Sequence, residues 1–283
     1  MALSDKVKKN TRKSSLFLGL LLISLIWIIP IVFLIMLSLK TTKDYASNPF
    51  YALPNSFGFI ENIKYVWDET HLGRPYLNSI FYSIAASSIA IFLSSLAAYA
   101  IAKLKIKGAF FIFILLWSGM IFPIQIFLIP LYKTFLILNI YNTQVGMILI
   151  YTVLSIPFCV FVFRNFFLTL PEDFQEAAKI DGCSNFQIYW RMIIPNSMGP
   201  IAVLLIFQGS YIWNDLIVGM VLSSSWGVRP VMNALTLLQG QYSGTNVPAV
   251  MTGNLISALP MIIVFIALQK YFLQGLAIQA AGE

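Results

Sequence analysis

Residues Glu176–Pro200 read EAAKIDGCSNFQIYWRMIIPNSMGP, a charged, amphipathic interruption in an otherwise very apolar chain. Pro171 can open a helix just ahead of it, and Glu172 and Asp173 put negative charge at that helix's positive end. Ala177 and Ala178 favour helix and carry almost no bulk, while Gly182 suits a helix C-terminus that needs a left-handed residue. Ser184 followed three residues later by Gln187 predicts a capping box on a second short helix. The spacing of Phe186, Tyr189, Trp190 and Ile193 gives that helix one apolar face, and Pro195 is expected to end it. The expected product is a helix–turn–helix with a small-faced surface for a partner and a greasy face for the chain's own helices. An amphipathic connector lying on the membrane surface carries the same pattern and is the competing reading.

The surrounding composition excludes a soluble domain. The 283 residues are 59% hydrophobic and 10% charged, against roughly 25% charged in ordinary globular chains, and mean hydropathy is +0.81. Several long apolar runs predict an all-α polytopic membrane protein. The first run, Leu16–Leu39, follows Lys6, Lys8, Lys9, Arg12 and Lys13. It exceeds the roughly 7–15 apolar residues of a signal peptide, so a retained first span is expected, kinked at Pro30. Residues 40–74 mix charges, Pro, Asn and aromatics and predict one or two short helices resting outside on the membrane surface.

Further spans are expected at about Tyr76–Ala102, Ala109–Leu131, Thr143–Phe163, Ile201–Leu222 and Pro248–Gln269. In the second, Ala86, Ala90, Ser94, Ala98 and Ala102 form a small-residue stripe suited to close helix packing within the subunit. The third contains Pro123, Gln125 and Pro130, and prolines there free carbonyls that only protein or a water-filled path can satisfy. Asp215 near the outer end of the fifth marks a polar site, since a lone carboxylate in hydrocarbon is costly. Of the eighteen basic residues, twelve fall inside on this layout and six (Lys40, Lys43, Lys64, Arg74, Lys133 and Arg229) outside, which puts both termini on the cytoplasmic side.

Glu176-Ala177-Ala178, then Asp181-Gly182, then Pro195 after twelve intervening residues resembles the EAA loop of ABC-importer permeases. NSIFYS at Asn78–Ser83, AAYAIAKLKIKG at Ala97–Gly108, MIFPIQIFLIPLY at Met120–Tyr132, WND at Trp213–Asp215 and LPMIIVFIALQKYFLQGL at Leu259–Leu276 are similar to the permease core of the carbohydrate, maltose-permease-like class. The resemblance implies six transmembrane helices with the coupling loop, 172–196, between the fourth and fifth. It divides the chain into an N-terminal segment with the first span (1–75), a core (76–276) and a cytoplasmic tail (277–283).

It also implies partners: a second EAA-type permease, an ATPase subunit dimer holding ATP and Mg, an extracytoplasmic solute-binding protein, membrane lipid and a carbohydrate substrate, in a bacterial or archaeal cell membrane. Glu176, Ala177, Ala178, Asp181, Gly182 and Pro195 would couple to the ATPase, with Glu176 as the charged contact. Asp181 is read equally as a local brace of the turn. Gln125, Gln208, Tyr211, Trp213 and Asn214 are candidates for the substrate path, since amides and aromatic faces suit sugar hydroxyls. The external loop Ser223–Val247 would meet the binding protein through Gln239, Gly240 and Tyr242, or serve simply as a solvated connector.

No catalytic constellation is present. There is no G-x-x-x-x-G-K-[ST], no H-E-x-x-H and no paired-cysteine pattern, only Cys159 and Cys183, and His71 is the one histidine. A non-catalytic subunit without cofactor or metal of its own and without nucleic-acid partners is expected. A permease for a non-sugar solute, or an ion-coupled secondary transporter, is the alternative. The latter predicts ionisable residues in mid-span, which the apolar runs lack.

Overall fold

The computed structural model describes residues 2–238 and 246–281. Its named elements are helices and short helical turns, with one isolated bridge between Lys40 and Phe57. The chain divides into two compact units, Met1–Thr70 with Leu237–Ile256, and His71–Thr236 with Ser257–Glu283. Residues 237–256, which the sequence reading keeps in the 76–276 core, thus group with the N-terminal unit.

In the first unit α1 (Ala2–Leu39) carries the apolar stretch Lys13–Leu39, long enough to cross a membrane, and continues through Pro30. The segment after it folds into α2 (Thr42–Ser47) and α3 (Phe59–Thr70). Asn62, Val66 and Thr70 form the buried face of α3, spaced four apart. Asn62 Nδ2 donates to the carbonyls of Ser38 (3.0 Å) and Lys40 (2.9 Å), satisfying acceptors that the end of α1 leaves open. Gly58 is required where it stands, because a Cβ there would lie 2.9 Å from the Thr41 backbone.

The second unit is organised by α4 (Gly73–Lys103) and α7 (Gln144–Thr169). Their starts meet at Asn78 and Gln144 (3.4 Å) and their ends through Lys103 Nζ and the Leu170 carbonyl (2.7 Å), so the two helices run parallel. Parallel neighbours force the connection between them to travel back along their whole length. Residues 104–143 do this as α5 (Ala109–Ser118), a 3₁₀ turn (Ile124–Phe127) and α6 (Leu128–Ile137), not as one continuous helix. The break lies at Gly119–Pro123, where Pro123 lacks an N–H and keeps the residue before it out of the helical region. The small stripe of α4 packs inside the unit: Ala86, Ala90, Ser94 and Ala98 are fully buried, and Ser94 Oγ reaches the Ile156 carbonyl of α7 at 3.2 Å.

Two expected boundaries move. α7 runs six residues past Phe163, because Cys159, Phe163 and Phe167 continue one buried stripe. Arg164 does not stop it, its guanidinium lying 4.2 Å over the Phe113 ring of α5. The expected fifth span divides into α11 (Met198–Trp213) and α12 (Ile217–Leu222). Among the described residues, four helices are long and apolar enough to cross a membrane, or five if the pair Asn185–Asn196 and Met198–Trp213, bent by 72°, counts as one broken span. α13 (Val231–Leu235) and α14 (Val247–Ala281) complete the chain.

Candidate functional site: a braced helical turn

The loop after α7 opens with α8 (Asp173–Ile180), preceded by Pro171 and carrying Asp173 and Glu176 in its first turn. Glu172 pairs with Lys105 across the surface at 3.4 Å. α8 ends as its sequence requires. Gly182 takes φ +79°, its N–H bonds the Lys179 carbonyl (3.0 Å), and the Cys183 N–H bonds the Ala178 carbonyl (2.9 Å). α9 (Asn185–Ile188) carries the expected capping box, with Gln187 N–H on Ser184 Oγ and Ser184 N–H on Gln187 Oε1.

Beyond this point the helix departs from expectation. Tyr189–Ile193 form a π turn, and α10 (Ile194–Asn196) runs through Pro195, so the proline does not end the helix; the break comes at Ser197. The wider turn shifts the phase of the apolar face. Ile188, Tyr189 and Ile193 are buried, whereas Phe186 and Trp190 are 65% and 43% exposed. Trp190 stacks on Phe92 of α4 and meets Phe186 edge-on.

Behind the turn, Ala178, Ile188, Tyr189 and Ile193 share one core with Ala98 and Tyr99 of α4, Cys159, Phe163 and Phe167 of α7, and Leu204 of α11. Three polar contacts reinforce it: Tyr189 OH with Ser95 Oγ (2.6 Å), Tyr99 OH donating to the Asn185 carbonyl (3.2 Å), and Lys103 Nζ donating to Leu170. The turn is thereby packed against three helices at once.

Glu176, Ala177, Asp181 and Gly182 are exposed at the end of α8, and Pro195 is exposed separately in α10. Ala178 lies on the inner side at 7% exposure, so it packs the core instead of offering a contact surface. Asp181 is exposed, and its backbone N–H bonds the Ala177 carbonyl (3.0 Å) at the C-terminus of α8. Sequence reasoning missed Ile180, 87% exposed at the tip of α8. Its position four residues after Glu176 and two before Gly182 was the available signal, since that spacing puts it on the face of Glu176.

At the opposite end of the unit, Asp215 sits in the break between α11 and α12. Its carboxylate accepts the Tyr151 OH (2.8 Å) and the N–H groups of Val218 (3.2 Å) and Gly219 (2.9 Å), capping α12 and tying it to α7. The segment after α12 is pinned down. Asn142, at φ +53°, accepts the N–H groups of Ser224 and Ser225; Asn78 Nδ2 reaches the Trp226 and Arg229 carbonyls, and Tyr82 OH the Val228 carbonyl (2.8 Å). Val231 N–H bonds Ser79 Oγ (2.8 Å), and His71 packs edge-on against Trp226. Residues 223–231 are thus not a free connector. Gln239, Gly240 and Tyr242 lie outside the described residues.

The expected path residues do not gather into one site. Trp213, 2% exposed, donates Nε1–H to the Ser257 carbonyl (3.0 Å) and takes Tyr76 edge-on, and Gln208 is buried. Both are enclosed by protein. Gln125, Tyr211 and Asn214 are exposed, Asn214 also bonding the Ser210 carbonyl.

Residues 90–278 match the family described as binding-protein-dependent transport system inner membrane component. The chain belongs to this family. It is a multi-pass inner-membrane permease subunit, a non-catalytic component. It is 31% identical over 285 residues to the osmoprotective compounds uptake permease of Synechocystis, covering 96% of this chain and 95% of that one. It is 31% identical to the melibiose/raffinose/stachyose import permease of Bacillus subtilis, covering 88% and 89%. Among solved structures, a chain of a bacterial ABC transporter involved in alginate import superposes with TM-score 0.77 at 22% identity, over 92% of this permease and 95% of that chain, and so has the same fold.

Proposed function

We propose that this permease forms half of the translocation path of an ATP-driven oligosaccharide importer and is driven by a separate ATPase through α8. The observation that carries this reading is the braced turn: an exposed face of Glu176, Ala177, Ile180, Asp181 and Gly182, fixed from behind to α4, α7 and α11. Ile180 is the apolar knob for a cleft on the ATPase and Glu176 its charged neighbour. The small Ala177 and Gly182 let the partner approach closely. A second EAA-type permease supplies the other half, and ATP and Mg bind in the ATPase dimer, not here. An extracytoplasmic binding protein delivers the solute at the opposite end. The six crossings are α1, α4, α5 with α6, α7, α11 with α12, and α14, with both termini cytoplasmic.

Oligosaccharide is favoured by the melibiose/raffinose/stachyose relative and by an arabinooligosaccharide permease of Halalkalibacterium halodurans, 30% identical over 93% of this chain. The Synechocystis relative, named for osmoprotective compounds, supports a second reading in which the solute is a smaller osmolyte. On either reading Gln125, Tyr211 and Asn214 are the exposed candidates to meet the solute, and Trp213 and Gln208, enclosed by protein, reach it only if α11 moves.

Coexpression with a candidate ATPase and a candidate second permease from the same genome, followed by pull-down and transport in proteoliposomes, tests the proposal. Transport by the permease alone, without nucleotide hydrolysis, would overturn it.

A further inference from the structure

We propose that residues 49–57 form an aromatic wedge that inserts into the outer leaflet of the membrane beside α1. The segment NPFYALPNSF, Asn48–Phe57, contains no charged residue, and its large side chains point outward: Phe50, Tyr51, Leu53 and Phe57 are 57–77% exposed. A solvated loop has no reason to present four large apolar side chains together.

The polar side of the loop faces inward. Lys40, fully buried, donates its ammonium to the carbonyls of Pro49 (3.1 Å) and Phe50 (3.5 Å). Asp44, also buried, accepts the N–H groups of Asn55 (2.9 Å) and Ser56 (3.5 Å) and the Asn48 amide (2.7 Å). The Ala52 N–H bonds Pro49, the Gly58 N–H bonds Leu39, and the Thr41 and Ser56 hydroxyls bond each other. Pro49 and Pro54 bring no N–H at all. Burying a lysine and an aspartate in a loop is costly where water is at hand to solvate its backbone. In hydrocarbon the same arrangement is required, because each backbone polar group must find its partner within the protein.

Depth comes from one contact. The Phe50 ring lies 5.8 Å from that of Phe33 on α1. Phe33 precedes the end of α1 by six residues, about 9 Å along the axis at 1.5 Å per residue. Helical side chains lean toward the N-terminus, which takes the Phe33 ring deeper still. The loop therefore reaches back alongside the apolar span, and its surface continues the exposed Ile31, Val32 and Ile35 of α1. Phe and Tyr at this level match the composition of the membrane–water interface.

Nitroxide labels test this in the assembled importer in phospholipid nanodiscs, on a Cys183→Ser background with Cys159 left buried. Leu53→Cys is the reporter, Val32→Cys the in-membrane control and Ser47→Cys the water control. The expected result is that the label at 53 collides with oxygen several-fold more than with a water-soluble nickel complex, as at 32, and that the ratio reverses at 47. A label at 53 that behaves as at 47 overturns the wedge, because the loop is then solvated. So does one shielded from both reagents, because another subunit then covers it. If the label at 32 were itself in water, the failure would lie with the span and not with the wedge.

Discussion

The two ends of the second unit are built from the same three helices and used in opposite ways. At the α8 end, hydrogen bonds and apolar contacts all lie behind the turn, and its front is left bare, with Ile180 projecting. At the other end the chain after α12 is bound onto the starts of α4 and α7 by Asn78, Asn142, Tyr82 and Ser79, and little is left to spare. The first arrangement suits a surface that receives force from outside the chain. The second suits a closure that the chain maintains for itself.

Ile180→Asp should separate the ends most sharply. Burying this side chain on docking contributes about 2 kcal/mol, so ATPase binding is expected to weaken about 30-fold. Thermal stability of the isolated permease should not move, since the side chain is 87% exposed. Unchanged binding in a titration of ATPase against nanodisc-held permease would break the comparison. Asn142→Ala should do the reverse: it strands the Ser224 and Ser225 N–H groups and puts alanine at a positive φ, costing about 2 kcal/mol in thermal unfolding with ATPase affinity retained.

Tyr189→Phe removes only the contact with Ser95, a loss of about 1 kcal/mol. ATPase binding should survive while solute moved per ATP falls. Equal coupling in the variant would show that the apolar core alone carries the force.

The smallest effect is one of pH and contrasts the 223–231 segment with residues 40–57 of the first unit. Burial by itself would raise the Asp44 pKa, but the N–H of Asn55, the Asn48 amide, the N–H of Ser56 and the Lys40 charge outweigh it and hold the carboxyl below its usual value. A folded-state pKa below the unfolded one contributes stability that is present above the unfolded value, near 4, and is lost as pH falls through the folded one. The pins at 223–231 are amides and hydroxyls, which do not titrate there. Hydrogen exchange below pH 4 should therefore loosen residues 40–57 before 223–231, and Asp44→Asn should abolish the pH dependence.

Much of the candidate site was legible because its signals are local. The left-handed Gly182 and the Ser184–Gln187 box each depend on bonds within five residues, so spacing alone predicts them. Ala178 was assigned to the contact surface and Ile180 was passed over, because burial is not a local signal. Smallness says that a residue can sit close to something but not to what, and Ala178 sits close to its own core. The greasy face was assigned to Phe186, Tyr189, Trp190 and Ile193 on an α-helical period that the π turn at Tyr189–Ile193 breaks, and only Tyr189 and Ile193 are buried. Asp215 was recognised as a polar site, but its partner Tyr151, 64 residues earlier, was not.

The sequence by itself determined that this chain crosses a membrane several times, that a charged helical turn interrupts the crossings, and which family it belongs to. Those properties reside in apolar run length, charge distribution and short-range capping. Only the tertiary structure decided which face of the turn is free, that Lys40 is enclosed, and that residues 223–231 are held down. Each of these depends on groups brought together from 9 to 152 residues apart, and such contacts leave no periodic trace along the chain.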